Sequence, residues 1–299
     1  MRLRVATAAV VLLVTACTDG GTTTDDANPP SPSPSASEPD TASALPTPDP
    51  TATTADRPTG RPEPGTTPPP WLFQRPLPLT ADGFGEVRRT PKALRNRRFT
   101  LPDTVPMLPG SGFASRVASP PPSRVLARST WKPGCPVGAG DLAWVRVAFR
   151  GFDGARHTGE LLVNADVTDD VVTVFRQLWQ AEFPLEQMRI TTLAELDAPP
   201  TGDGNNTSAF VCRVVRGGSS YSQHAHGLAI DLNPFHNPYV KGDLVLPELA
   251  SAYKDRSRRA PGMITADGPV TAAFRAVGWE WGGSWRTLKD YQHFSAEGG

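Results

Sequence analysis

The sequence predicts an α+β fold: a small antiparallel sheet with helices packed on one side, preceded by a long disordered tether. Three observations carry this. Val145, Val147 and Phe149 alternate with Arg146, Ala148 and Arg150, the period-two pattern of a half-buried strand. Two later segments, near Thr168 and Asp267, repeat apolar residues at helical spacing, without the strand-helix alternation of a parallel sheet. Residues 18 to 70 are mostly Thr, Ser, Pro, Asp and Gly with almost no large apolar side chain, so they cannot offset their own ordering entropy.

The chain begins Met-Arg-Leu-Arg, continues with an apolar run from Val5 to Ala16 and reaches Cys17. This is the layout of a secretory signal over residues 1–16, too short to span a bilayer. Val14-Thr15-Ala16-Cys17 resembles a bacterial lipobox. The resemblance implies acylation of Cys17 and an exported chain, lipid-anchored to the outer face of the cell membrane and facing the cell wall. An ordinary cleaved signal with an incidental cysteine is the alternative. With Cys17 set aside, Cys135 and Cys212 remain as an even pair in an oxidising compartment. They suit a disulfide, or two separate buried thiols.

Residues 17–70 are expected to be the lipidated cysteine and a disordered linker, with a reach between ~40 and ~160 Å for about fifty residues. Residues 71–128 mix scattered apolar residues and prolines with a basic stretch, Arg88, Arg89, Lys92, Arg95, Arg97 and Arg98. They are expected to form an extended, solvated, partly helical arm, with contact to anionic wall polymers as a second role. Over the whole chain 30 basic and 30 acidic residues balance, so nothing global points to nucleic acid. A monomer is expected.

The folded domain is expected over residues 129–299. The strand from Leu142 meets the turn Gly151-Phe152-Asp153-Gly154, and a second apolar run at Leu161 to Val163 returns antiparallel to it. Thr168 reads as an N-cap for a helix through Val171, Val174, Phe175 and Leu178 up to about Phe183, lying on the sheet. Asp267 and Pro269 open a second helix, which Gly278 stops.

Three of the five histidines fall between Ser222 and His236. In Ser222-Gln223-His224-Ala225-His226-Gly227-Leu228-Ala229-Ile230-Asp231-Leu232, a short strand would put Ile230 and Leu232 on the core face and Asp231 in a cleft. Gly227 allows the turn that brings His224 back to Asp231. Nitrogen and oxygen donors suit zinc, and a catalytic zinc takes three protein ligands and leaves one open position. His293 is the candidate third ligand. Asp290, three residues before it, is the candidate general base. His226 and His236 are not expected as ligands: the first points to the opposite pleat, and the second sits in a proline-flanked loop read as cleft wall. Trp279, Trp281 and Trp285 are read as core and cleft wall.

Ser222-x-His224-x-x-Gly227-x-Ala229-x-Asp231 followed by Asp290-x-x-His293 resembles the D-alanyl-D-alanine carboxypeptidase family of zinc peptidases, whose relatives include vancomycin-resistance carboxypeptidases and L-alanyl-D-glutamate endopeptidases. The resemblance covers roughly Cys135 to Phe294. It implies a small antiparallel sheet with helices on one side and a zinc site in a cleft, with His224, Asp231 and His293 as ligands and Asp290 as the acidic base. It places Ser222 in the substrate site and matches Arg213 to an arginine that binds substrate oxygen, a surface or structural ion pair being the equal alternative for Arg213. Three positions depart from the pattern: Asp290 where Glu is common, Ser284 where Asp often precedes tryptophan, and Ser295 where Glu often follows Phe. The implied activity is zinc-dependent hydrolysis of peptidoglycan stem peptides, first as a D-alanyl-D-alanine carboxypeptidase and alternatively as an L-alanyl-D-glutamate-type endopeptidase. Two further alternatives are a non-catalytic zinc- or wall-binding module, and a lipoprotein whose basic arm is the working part.

Overall fold

A computed structural model describes residues 63–215 and 218–298 of the chain. The signal segment, Cys17 and the linker through residue 62 lie outside the described residues.

In chain order the elements are β1 (Ser115–Ala118), α1 (Ser123–Leu126), β2 (Leu142–Gly151), β3 (Arg156–Asn164), α2 (Thr168–Gln180), β4 (Pro184–Leu185), β5 (Gln187–Met188), α3 (Leu193–Asp197), β6 (Asn206–Thr207), β7 (Ala229–Asp231), β8 (Tyr239–Lys241), β9 (Leu244–Leu246), α4 (Pro269–Ala276), β10 (Glu280–Trp281), β11 (Lys289–Asp290) and β12 (His293–Ser295). Helices and mainly antiparallel strands are mixed without βαβ repetition, so the class is α+β, as the sequence predicts.

The largest sheet runs β1-β2-β3, with β4 joined parallel to the far end of β2. Period-two alternation divides β2 and β3 between two cores. Val145, Val147, Phe149, Leu161 and Val163 face α2 and α4, whose Val171, Val174, Phe175, Leu178, Val270 and Phe274 complete one cluster. Leu142, Trp144 and Leu162 face the other way, onto Val125, Phe210 and Cys212. Both faces of the hairpin are therefore covered, one by helices and one by α1 and irregular chain.

Thr168 is the first helical residue rather than the cap, and its hydroxyl donates back to the Ala165 carbonyl at 3.1 Å. The side chain that receives an orphan N–H is that of Asn164, which accepts from Asp166 at 3.0 Å and opens a 3-10 turn over Ala165–Val167 leading into α2. Pro269 opens α4 after Gly268, and Gly278 follows it at φ +86°.

The solvated arm expected for residues 71–128 is not what forms. Leu72, Leu77, Leu94 and Phe99 bury against Phe235, Val245, Leu249 and Tyr253, building a third core with the C-terminal half of the chain. Arg97, read as a surface charge, is 2 % exposed. Its guanidinium clamps Glu186 with two bonds of 2.6 Å and donates to the Asp203 carbonyl at 2.7 Å. Packing begins before Trp71: the Gly65 carbonyl accepts from Arg98, and a side chain at Gly65 would run into the Asn96 carbonyl. Before β1 the segment is irregular and proline-rich apart from a 3-10 turn at Lys92–Leu94, and its anchors are single residues packed against distant chain. Periodicity detects elements, and this strap is not one.

Candidate metal centre

The site is assembled on β7, β12 and the 3-10 turn Gln223–His226. Ser222 caps that turn, its hydroxyl accepting from the His224 amide at 3.4 Å, and Gly227 ends it at φ +71°. Glycine is required twice over at this point: the backbone is left-handed, and a Cβ would stand 2.4 Å from the Asn164 amide nitrogen. The close approach lets the Gly227 carbonyl accept from Asn164 at 2.9 Å, tying the turn to the end of β3. Ile230 and Leu232 go to the core and leave Asp231 on the opposite side. Strand β12 pairs antiparallel with β7 so that His293 lies directly opposite Asp231.

Three donor atoms converge there. His224 Nε2 is 3.2 Å from His293 Nδ1 and 3.3 Å from Asp231 Oδ1, and His293 Nδ1 is 3.1 Å from the same oxygen. A tetrahedral cation held at about 2.0 to 2.1 Å would separate its ligand atoms by roughly 3.3 to 3.4 Å. The triangle is therefore close to the size of one face of such a site, and the group could hold a metal ion.

Proton counting gives the same answer. His224 Nδ1 lies 2.6 Å from the Ala209 carbonyl and must carry its proton there, so in the neutral ring Nε2 presents a lone pair. A lone pair facing a carboxylate oxygen needs a positive charge between them. Burial opposes protonation of His224, yet Asp231 raises its pKa above the ordinary value. Burial would likewise raise Asp231, but His224, and then His293, hold its carboxyl well below the usual range. Asp290, on β11 opposite Tyr239, is pushed up to about 6 by burial and by Asp231. Its Oδ1 is buried without a hydrogen-bond partner.

The surroundings fix these groups. A Cβ on Gly282 would stand 2.8 Å from the Asp290 carbonyl oxygen and 3.3 Å from the Trp285 ring, so only glycine lets the turn Gly282–Ser284 rest on Asp290. Ser284 donates to the Trp281 carbonyl at 2.7 Å within that turn. Trp285 packs its ring 5.5 Å from that of His293 and keeps a buried, unpartnered indole nitrogen. Cys135 and Cys212 are joined by a disulfide with Cα atoms 5.9 Å apart. It pins the chain just after Ala209, whose neighbour Ser208 exchanges two backbone bonds with Asp231.

The remaining candidates fall differently. Arg213 is exposed, its guanidinium donating to the Val214 carbonyl at 3.4 Å, and its charge is near enough to disfavour protonation of His224. Ser222 is the turn's cap and half-buried. His226 is half-buried and outside the donor triangle. His236 is not cleft wall but core, 0 % exposed, donating from Nε2 to the Arg97 carbonyl at 2.8 Å and accepting at Nδ1 from Asn205 at 3.1 Å. Burial lowers its pKa to about 3, so it is neutral. Sequence reasoning missed the Ala209 carbonyl, which orients His224, because a backbone oxygen has no residue signature. It also missed Asn164, whose amide required Gly227.

Residues 216–296 match a family model described as D-alanyl-D-alanine carboxypeptidase. The match contains His224, Asp231, Asp290 and His293, and leaves out Arg213, the disulfide and the strap. No curated protein and no solved structure gives a significant match. The matched region supports a metallopeptidase of the zinc-dependent type that acts on peptidoglycan peptides.

Proposed function

We propose that the chain is a zinc peptidase of the cell wall that removes the terminal D-alanine of peptidoglycan stem peptides. The observation that carries this is the triangle of His224, Asp231 and His293 with an unpartnered carboxylate oxygen on Asp290 in its electrostatic neighbourhood. His224, Asp231 and His293 would hold the ion. Zinc, when bound, supplies Lewis acidity, polarising a scissile carbonyl and lowering the pKa of a water toward ~7.

The protein's own groups do the rest. Asp290 Oδ1 takes a proton from the attacking water as the new C–O bond forms, and returns it to the amine nitrogen as the C–N bond breaks. Glycine at 282 keeps that carboxylate in place. Arg213, on the exposed rim, meets the negative charge of the substrate carboxylate or the developing oxyanion. Ser222 lines the approach while capping the turn. Acylation at Cys17 would tether the domain outside the cell, where its substrate lies.

Mass spectrometry of muropeptides after incubation with the zinc-loaded protein tests the proposal. Loss of a single terminal D-alanine is expected. Cleavage between L-alanine and D-glutamate would make the protein an endopeptidase, and glycan cleavage or no change would reject the peptidase reading.

A further inference from the structure

A second constellation of charged side chains stands apart from the metal group in sequence and is electrostatically open. Strands β1, β2 and β3 set Arg116, Arg146 and Glu160 in one cross-strand row, Arg116 opposite Arg146 and Arg146 opposite Glu160. Like charges directly opposite one another are destabilising, so the row calls for a counter-charge. Glu160 supplies part of it to Arg146 but is shared with Arg128. It is fully buried, Arg128 takes both of its oxygens in a bidentate pair, and Trp144 Nε1 donates to it at 2.6 Å.

What remains is a cationic cluster around Trp144. Arg146 lies 4.3 Å from the centre of the indole and Arg124 lies 5.7 Å from it. Such contacts hold guanidinium groups in fixed orientation. Arg116 and Arg124 are exposed, and among the described residues neither has an ion pair or a side-chain hydrogen bond. Arg146 is half-buried, and its Nε is buried with no partner. Burial, then the charge of Arg116, lower the pKa of Arg146; Glu160 opposes them and Arg124 adds a smaller lowering, so Arg146 feels the charge of both other arginines.

We infer that Arg116, Arg124 and Arg146 form a binding site for a phosphate-bearing polyanion. Guanidinium forks match oxyanions through paired N–H donors, and a phosphate-bearing polymer repeats a tetrahedral oxyanion along its length. Trp144 and Glu160 position the cluster by fixing Arg146 and Arg128. The inference rests on no part of the peptidase reading, since none of these residues touches the metal group. Together the two would hold the domain on an anionic wall polymer while it works on peptides.

Calorimetry on the full-length protein tests this with long-chain polyphosphate, inorganic phosphate and poly-glutamate, at low and moderate salt. Polyphosphate should bind, more tightly than inorganic phosphate or poly-glutamate, and Arg116→Gln with Arg124→Gln should weaken it about tenfold or more while flattening its salt dependence. Both positions are exposed and the substitutions relieve like-charge repulsion, so the melting temperature should not fall. Arg88→Gln with Arg89→Gln, in the other basic stretch, should leave binding unchanged. No binding by the native protein, undiminished binding by the Arg116/Arg124 variant, equal weakening by the Arg88/Arg89 variant, or equal affinity for either of the other two anions would each overturn the inference.

Discussion

Two buried polar clusters, both built from histidine and carboxylate, behave in opposite ways. In the cluster of Arg97, Glu186, Asn205 and His236, donors meet acceptors: Arg97 clamps Glu186, Asn205 donates both to Glu186 and to His236, and His236 returns a proton to the Arg97 carbonyl. In the cluster of His224, Asp231 and His293, three electron-pair donors face one another at 3.1 to 3.3 Å. The first contains its own cation and is complete. The second has no arginine or lysine of its own among these three residues and could hold a metal ion. Burial and residue type do not separate a structural cluster from a functional one here; the balance of protons against lone pairs does.

The largest effect on stability should come from the complete cluster. Arg97→Met leaves Glu186 buried without its partner, and removing one member of a buried pair costs about 3–5 kcal/mol. Denaturant unfolding should show that loss, while the fraction that remains folded keeps its metal content. A loss below about 1 kcal/mol would mean that the strap from residue 63 onward is weakly held. Next is the disulfide, whose closure links positions 77 residues apart. Replacing Cys135 and Cys212 with Ser should lower stability by about 2–4 kcal/mol. An unchanged melting temperature would contradict its structural role.

The smallest effect at neutral pH is that of His236, which shows itself as a pH dependence of stability in acid. His236 titrates near 3 in the folded chain and near its ordinary 6.5 when unfolded. Between those values the unfolded state binds the extra proton, so stability is full above about 6.5 and falls as pH drops toward 3. One such group contributes a slope of up to about 1.4 kcal/mol per pH unit. His236→Gln should flatten stability against pH by that amount over this window. Parallel curves for native and variant protein would show that His236 is not held neutral.

The contrast also explains what was legible in the sequence. His224, Gly227 and Asp231 lie within eight residues, and Asp290 and His293 within four, so local spacing exposed them. The hairpin and both long helices announced themselves by period. The complete cluster did not, because Arg97, Glu186, Asn205 and His236 come from four distant stretches and only the fold brings them together. Arg97 sits among surface-type arginines, and nothing in its neighbours marks it for burial. Asn164 was invisible for a similar reason: its cap opens a 3-10 turn one step before the helix that Thr168 was expected to cap.

The central claim, that the incomplete cluster is a zinc site served by a separate base, is tested most directly by measuring bound zinc by plasma mass spectrometry beside peptide release. His224→Ala, Asp231→Ala and His293→Ala should each lose zinc and activity together, because three ligands leave no redundancy. Asp290→Asn should keep near-full zinc while turnover falls by about 100-fold or more, the scale of a general base. Full zinc occupancy in any of the three alanine variants, or full activity in Asp290→Asn, would contradict the account.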